Sequence, residues 1–407
     1  MNATRAQLVV WFSILTLAGC GDRSDLARVE APNFAADRNP AHVVTIDHQV
    51  SYTSTVAANA GELVQLFVRE RYPDNRDPRH AVLMIHGRSI PALAAFDLDK
   101  NGYDWALWLA QTGGLDVFIL DFQGSGRSPR PMMADPCNVP TAQQRSILIP
   151  NPLSATCPPS YPFQLIDSRS DWDELDAVVD YIRALRGVDK VALVSWSQGS
   201  FRVGPYAVLH PDKVESLLLY APIFNPNFRS GAGSEGLDPP VTLPQAGTPM
   251  SLSTRGDLMA FWNVEIKCEG QREEGIEDVV WSAAMENDPI GRTWGPPEGV
   301  LRVRTPFLWG WNAATAHRIS VPVLMIRGEF DNGDGGIQDL ARLYAEIPHD
   351  HKMWFTVGCA GHRMVWERQR RVLHHISKEW LTHVAVDEQT SGKFFVDIEG
   401  NIYPIPE

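Results

Sequence analysis

Cysteine is scarce in this chain of 407 residues, which has only 5: Cys20, Cys137, Cys157, Cys268 and Cys359. Their spacing fits no zinc-site pattern. Positive charge is also short, with 36 Lys and Arg against 49 Asp and Glu, a formal net charge of −13. That balance argues against binding nucleic acid or anionic lipid by charge. Long apolar runs are missing as well. Residues 8–17 form an apolar stretch too short to cross a bilayer comfortably, and no other segment approaches that length. There are no repeats and no low-complexity tracts. What remains is ordinary for a folded protein: 44% hydrophobic and 21% charged residues, in a chain long enough for one large α/β domain with an insertion.

The first twenty residues, "MNATRAQLVVWFSILTLAGC", carry one charge, Arg5, ahead of the apolar run. Residues 1–19 have the length and layout of a signal peptide. The run ends in Leu17-Ala18-Gly19-Cys20, which resembles the lipobox of bacterial lipoproteins. That resemblance implies cleavage before Cys20, lipidation of its thiol, and a membrane anchor in a bacterial cell envelope, on the periplasmic side or in the outer membrane. A plain secretory signal with a chance cysteine is the alternative. Residues 20–42 are small, polar and free of periodicity, as expected of a tether. Export would set the other four cysteines in an oxidising compartment, where two disulfides have three possible connectivities. Closing the Pro-rich segment between Cys137 and Cys157 would restrain it by up to ~3 kcal/mol. That favours Cys137–Cys157 and leaves Cys268–Cys359, with free buried thiols as the alternative.

From residue 43 onward, strand-like and helix-like segments alternate. This is the pattern of an α/β fold with a mainly parallel central sheet and helices on both faces. "HVVTIDHQVSY" and the well-alternating "ELVQLFVRER" come first, the second suited to antiparallel pairing. "AVLMIHG" is continuously apolar, as a strand buried on both faces should be. "DVFILD", "KVALVS", "VESLLLYA", "VPVLMIRG" and "HKMWFTVG" follow, separated by helix candidates. The helix "SRSDWDELDAVVDYIRALRG" begins with capping residues and ends at Gly187. Between 223 and 320 the alternation stops, and this stretch holds Trp262, Trp281, Trp294, Trp309 and Trp311. The expected organisation is a core over 43–222 and 321–383, a cap-like insertion over 223–320, and a hairpin tail over 384–407.

"VALVSWSQGS", residues 191–200, runs an apolar strand into a serine flanked at two positions' distance by Ser195 and Gly199. A serine hydroxyl is a poor nucleophile at neutral pH. It needs a base, a group that orients the base, and donors for the developing oxyanion. Small flanking residues permit the tight strand-to-helix turn that exposes such a serine above a sheet. Ser195 stands where the usual pattern has glycine, yet it meets the same steric demand.

With these residues in view, the chain resembles the α/β-hydrolase superfamily over about residues 43–383. "LMIHG", with His86 and Gly87, is similar to the family's oxyanion strand and loop. "DFQGSGRS" is similar to its D-x-x-G-x-G-x-S turn, "VPVLMIRGEFD" to the strand presenting the acid, and "FTVGCAGHRM" to the loop carrying the histidine. The resemblance implies an α/β-hydrolase fold with a catalytic triad of Ser197, Asp331 and His362. It also implies oxyanion donors at the backbone N–H groups of Arg88 and Gln198. Glu329 and Asp334 are the competing acids. His86 is expected to support its loop, and His374 and His375 to pack or lie at the surface.

A serine nucleophile points to acyl transfer with no metal and no organic cofactor. The function expected is hydrolysis of a carboxylic ester in a small-molecule substrate, an esterase or lipase-like reaction. Amide, thioester or carbon–carbon cleavage comes second, and a non-catalytic binding member of the fold third. The tryptophans of the insertion lean the substrate toward an apolar one, unless they form the insertion's own core.

Overall fold

The computed structural model describes residues 42–74, 80–333 and 336–406. The expected signal peptide, Cys20 and all but the last residue of the tether lie outside these, as does Asp334. The strands are β1 (Val43–Thr53), β2 (Leu63–Pro73), β3 (Ala81–Ile85), β4 (Asp116–Asp121), β5 (Ile166–Asp167), β6 (Val191–Trp196) and β7 (Val214–Tyr220). They continue with β8 (Met250–Thr254), β9 (Val300–Arg304), β10 (Pro306–Phe307), β11 (Val323–Gly328), β12 (Lys352–Val357), β13 (Gly392–Val396) and β14 (Ile402–Pro404).

Ten of these form one sheet in the order β1-β2-β4-β3-β6-β7-β11-β12-β13-β14. From β4 to β13 every pairing is parallel. β1 and β2 pair antiparallel at one edge and β14 at the other. The tail hairpin therefore does more than cap the chain, because β13 extends the central sheet beside β12. β3 is buried at every position, and its alternate side chains serve two cores: Val82 and Met84 one face, Ala81, Leu83 and Ile85 the other. That split is the physical reason the segment reads as uninterrupted apolar sequence.

Helices α1 (Ala92–Phe96) and α2 (Trp105–Gly113) cover the first face; α3 (Thr141–Gln143) follows in the Pro-rich loop. α4 (Ser168–Arg186) and α5 (Ser200–Leu209) cover the second face. Asp167 caps α4, accepting the Ser170 N–H while the Ser170 hydroxyl accepts the Asp167 N–H, and Gly187 ends the helix at φ 64°. Then come α6 (Arg255–Asn263), α7 (Ile276–Glu286), α8 (Ala313–Ala316), α9 (Gly336–Glu346) and α10 (Arg370–His383). A separate 3-10 turn, Met364–Trp366, precedes α10.

Within 223–320, β8 and β9 make a separate antiparallel ribbon. The end of this stretch belongs to the body of the protein. β10 pairs with β5 at the start of α4, Trp309 packs edge-on to Trp172 of α4, and Trp311 fills the space beside Gly204 of α5. Two disulfides are present, Cys137–Cys157 and Cys268–Cys359. The first closes the Pro-rich loop, and the second ties the insertion to the loop after β12.

Candidate active site

Ser197 follows β6 directly and precedes α5, at φ 56°. A serine in that left-handed conformation is strained, and the surroundings must hold it there. A Cβ on Gly199 would stand 2.9 Å from the Ile85 carbonyl and 3.1 Å from the Ser195 Cβ. The turn is therefore too tight for bulk at either flank. The Ser200 hydroxyl lies within hydrogen-bond reach of the carbonyls of Ser197 and Ile223, at 2.9 and 2.7 Å, pinning the elbow to the segment that follows β7.

The loop after β3 crosses over this serine. A Cβ on Gly87 would lie 3.2 Å from the Ser197 Cβ and 3.7 Å from its Oγ, so a side chain there would crowd the serine. Arg88, the next residue, lines the cavity above Ser197. Gln198, the other expected oxyanion donor, is the middle residue of the elbow turn and is half-buried, outside the cavity lining. His86 is fully buried, with Nδ1 2.7 Å from the Gly87 carbonyl. Burial, reinforced by nearby arginines, holds it well below the usual imidazole pKa, so it is neutral and structural. Its own carbonyl accepts from Arg202 Nη1 at 2.7 Å.

The turn after β4 braces the same loop. Buried Asp121 accepts the N–H of Ala92, where α1 begins, and the N–H of Arg127. A side chain on Gly126 would overlap that carboxylate, which accounts for glycine at that position of the motif.

Asp331 and His362 come from the loops after β11 and β12. His362 Nδ1 lies 2.9 Å from Asp331 Oδ1, which also accepts the Gly333 N–H at 2.8 Å. Burial by itself pushes the Asp331 carboxyl up. The charge and hydrogen bond of His362, with Arg327, outweigh that and bring it down to about 2. Glu329 is exposed and accepts the Cys359 N–H. His374 is buried against Trp105 and Trp108.

The His362 backbone is held on both sides. Its carbonyl accepts from Tyr220 Oη at 2.8 Å and from Trp196 Nε1 at 3.1 Å. Its N–H donates to Glu265 Oε2 at 3.0 Å. Sequence reading misses Glu265, Tyr220 and Arg202, since each acts on a residue far away in the chain. Only the tryptophan beside the serine offers a local signal.

Ser197 and His362 face one cavity of about 480 Å³. Its wall mixes apolar Ile90, Leu258 and Phe261 with polar Gln143, Asn332 and Arg363. None of the five insertion tryptophans lines it, and all five are buried. The apolar substrate suggested by those tryptophans thus loses its basis. Large side chains with one polar N–H serve equally in a core, and here they do: Trp262 donates to Glu367 and Trp309 to the Leu237 carbonyl.

A doubly wound sheet that brings a strained serine, a histidine and a carboxylate to the carboxyl ends of its strands defines a hydrolase-type scaffold. A family model described as "alpha/beta hydrolase fold" matches residues 81–241, and the sheet and its covering helices give the chain an α/β-hydrolase fold. No curated protein sequence matches it. Solved structures similar to it include a serine hydrolase from the polyaromatic hydrocarbon-degrading bacterium Cycloclasticus zankles. That likeness is 14% identical, covers 84% of this chain and 99% of the other, and has a TM-score of 0.49. A thermophilic esterase from Thermogutta terrifontis is 14% identical over 83% of this chain and 98% of its own, with a TM-score of 0.47. A carboxylesterase from Bacillus subtilis is 12% identical over 81% and 90%, also with a TM-score of 0.47.

Proposed function

We propose that the protein is a serine hydrolase that cleaves a carboxylic ester in a small-molecule substrate. The observation that supports this most is the 2.9 Å bond from His362 Nδ1 to Asp331 Oδ1, in a histidine that shares its cavity with Ser197. Among the described residues nothing hydrogen-bonds Ser197 Oγ, and such bonds tighten when substrate enters. In the reaction, Ser197 Oγ attacks the ester carbonyl carbon while His362 Nε2 takes its proton. Asp331 holds the tautomer and stabilises the imidazolium. The N–H groups of Arg88 and Gln198 receive the oxyanion, each worth on the order of 10²–10³ in rate. His362 then returns the proton to the leaving alcohol, and water releases the acid from the acyl-enzyme.

Residues 223–320 act in this reading as a cap over the site, contributing Ser251, Leu258 and Phe261 to the cavity. The two disulfides support folding in an oxidising compartment, in keeping with export and a lipid anchor at Cys20. Fatty-acid incorporation that survives Cys20→Ser would remove that anchor.

The deciding experiment is labelling with a fluorophosphonate probe, with Ser197→Ala as control. Wild type is expected to label and the variant not. Folded wild type that stays unlabelled overturns the proposal. Turnover of p-nitrophenyl esters of graded acyl length, beside aminoacyl anilides and thioesters, then separates ester cleavage from its alternatives.

A further inference from the structure

Glu265 lies just past α6, in the insertion, and is 3% exposed. Its two carboxylate oxygens reach two different loops. Oε1 accepts the Asn332 N–H at 3.1 Å, next to Asp331. Oε2 accepts the His362 N–H at 3.0 Å. The base loop presses closely on it, for a Cβ on Gly361 would stand 2.8 Å from the Glu265 Cβ. The same segment is fastened twice more. Cys268 is bonded to Cys359, and Glu367 gathers Trp262 Nε1, Gln271 Nε2 and the Gly361 N–H. Of these ties, Glu265 alone touches both the acid loop and the base loop.

We propose that Glu265 is a positioning residue for the hydrolysis: it sets the acid and base loops relative to each other and supplies a charge that favours the imidazolium. This rests on the reading of Ser197, His362 and Asp331 given above. A carboxylate suits the place because it offers an acceptor oxygen to each N–H. An amide offers one oxygen and turns its NH2 toward the second donor. The carboxylate is also a costly choice for stability alone, since burial pushes its pKa up, and a packed apolar residue would avoid that cost. Around it stand His362, Asp331 and Arg363. Arg363 Nη1 is 3.5 Å from Oε2, and Glu367 adds a second buried carboxyl nearby.

The test uses the full chain with Glu265→Gln and Glu265→Ala, assayed on p-nitrophenyl acetate from about pH 5 to 9. Folding is checked by circular dichroism. Glu265→Gln is the close isostere and guards against loss of folding in the alanine variant. Expected for Glu265→Gln is a kcat lowered about tenfold, with KM within about twofold. The acid limb of kcat/KM is expected to move to lower pH, because the imidazolium has lost an attractive charge. A role in stability alone moves the melting temperature and leaves kcat and the pH limb in place. That result, or wild-type kinetics in folded variants, overturns the proposal while wild-type activity leaves the hydrolase reading standing. An inert wild type overturns both.

Discussion

A Cβ placed on Gly199 would stand 3.1 Å from the Cβ of Ser195, so the two residues flanking Ser197 share one small space. The Ser195 hydroxyl is buried without a hydrogen-bond partner among the described residues. Its value at this position is its size. Ser195→Ala is expected to keep full activity and to gain up to ~1 kcal/mol of stability by removing an unpaired buried hydroxyl. Gly199→Ala drives a methyl against the Ile85 and His86 carbonyls, and its kcat should fall at least ~100-fold through a displaced elbow. Thermal melts and ester turnover on both variants check this. An active Gly199→Ala would show that the elbow has slack.

Two buried carboxyls give stability an opposite dependence on pH. Asp331 falls from an ordinary 3.8 to about 2, so its ionised form adds stability above about pH 4 and loses it as pH drops toward 2. Glu174 is raised from 4.5 to about 7, first by burial and then by the charge of Asp171. Its contribution is complete below about pH 4.5 and is lost as pH rises through 7. Denaturant midpoints should therefore show the advantage of wild type over Asp331→Asn narrowing between about pH 4 and 2. The advantage over Glu174→Gln should narrow between about pH 5 and 8, by roughly 2–3 kcal/mol. Flat differences in both series would contradict the assignment.

The elbow, the acid strand and the histidine loop are legible in the sequence because each is a short local pattern at a strand end. The fold is legible for the same reason, since two-sided burial writes itself as continuous apolar runs. What holds the site together is not legible. Glu265 and Tyr220 meet the His362 backbone across separations of 97 and 142 residues, and a backbone partner leaves no pattern in side-chain chemistry. The tryptophans mislead because indole suits a pocket wall and a core equally. The tail reads as a hairpin from its own alternation, but its partner strand β12 is chosen by tertiary packing.

The two disulfides should differ in weight. Cys268–Cys359 spans 91 residues and Cys137–Cys157 spans 20. In the chain-entropy account the longer loop contributes about 1 kcal/mol more. Replacing Cys268 and Cys359 with serine is thus expected to lower the unfolding free energy more than replacing Cys137 and Cys157. It should also reduce kcat, since Cys359 lies on the loop that carries His362. Denaturant unfolding and ester turnover of the two double variants decide it, and the reverse order of stability would count against the entropy argument.

Behind the loop after β3, the proposed oxyanion loop, Asp171 is gripped by two arginines, all three buried. Arg202 Nε donates to Asp171 Oδ2 at 2.8 Å, and Arg304 bonds both oxygens at 2.8 and 2.9 Å. Removing either arginine leaves the carboxylate half-paired, which costs ~3–5 kcal/mol in a buried setting. The two should differ in catalysis, because only Arg202 also holds the His86 carbonyl, from which Gly87 and the Arg88 N–H hang. Arg202→Met is therefore expected to lose about tenfold or more in kcat at nearly constant KM, as one oxyanion donor drifts. Arg304→Met, equally destabilised, should keep most of its turnover once measured well below its melting temperature. Equal losses of kcat in the two variants would mean that the carboxylate, and not the Arg202–His86 bond, sets the loop.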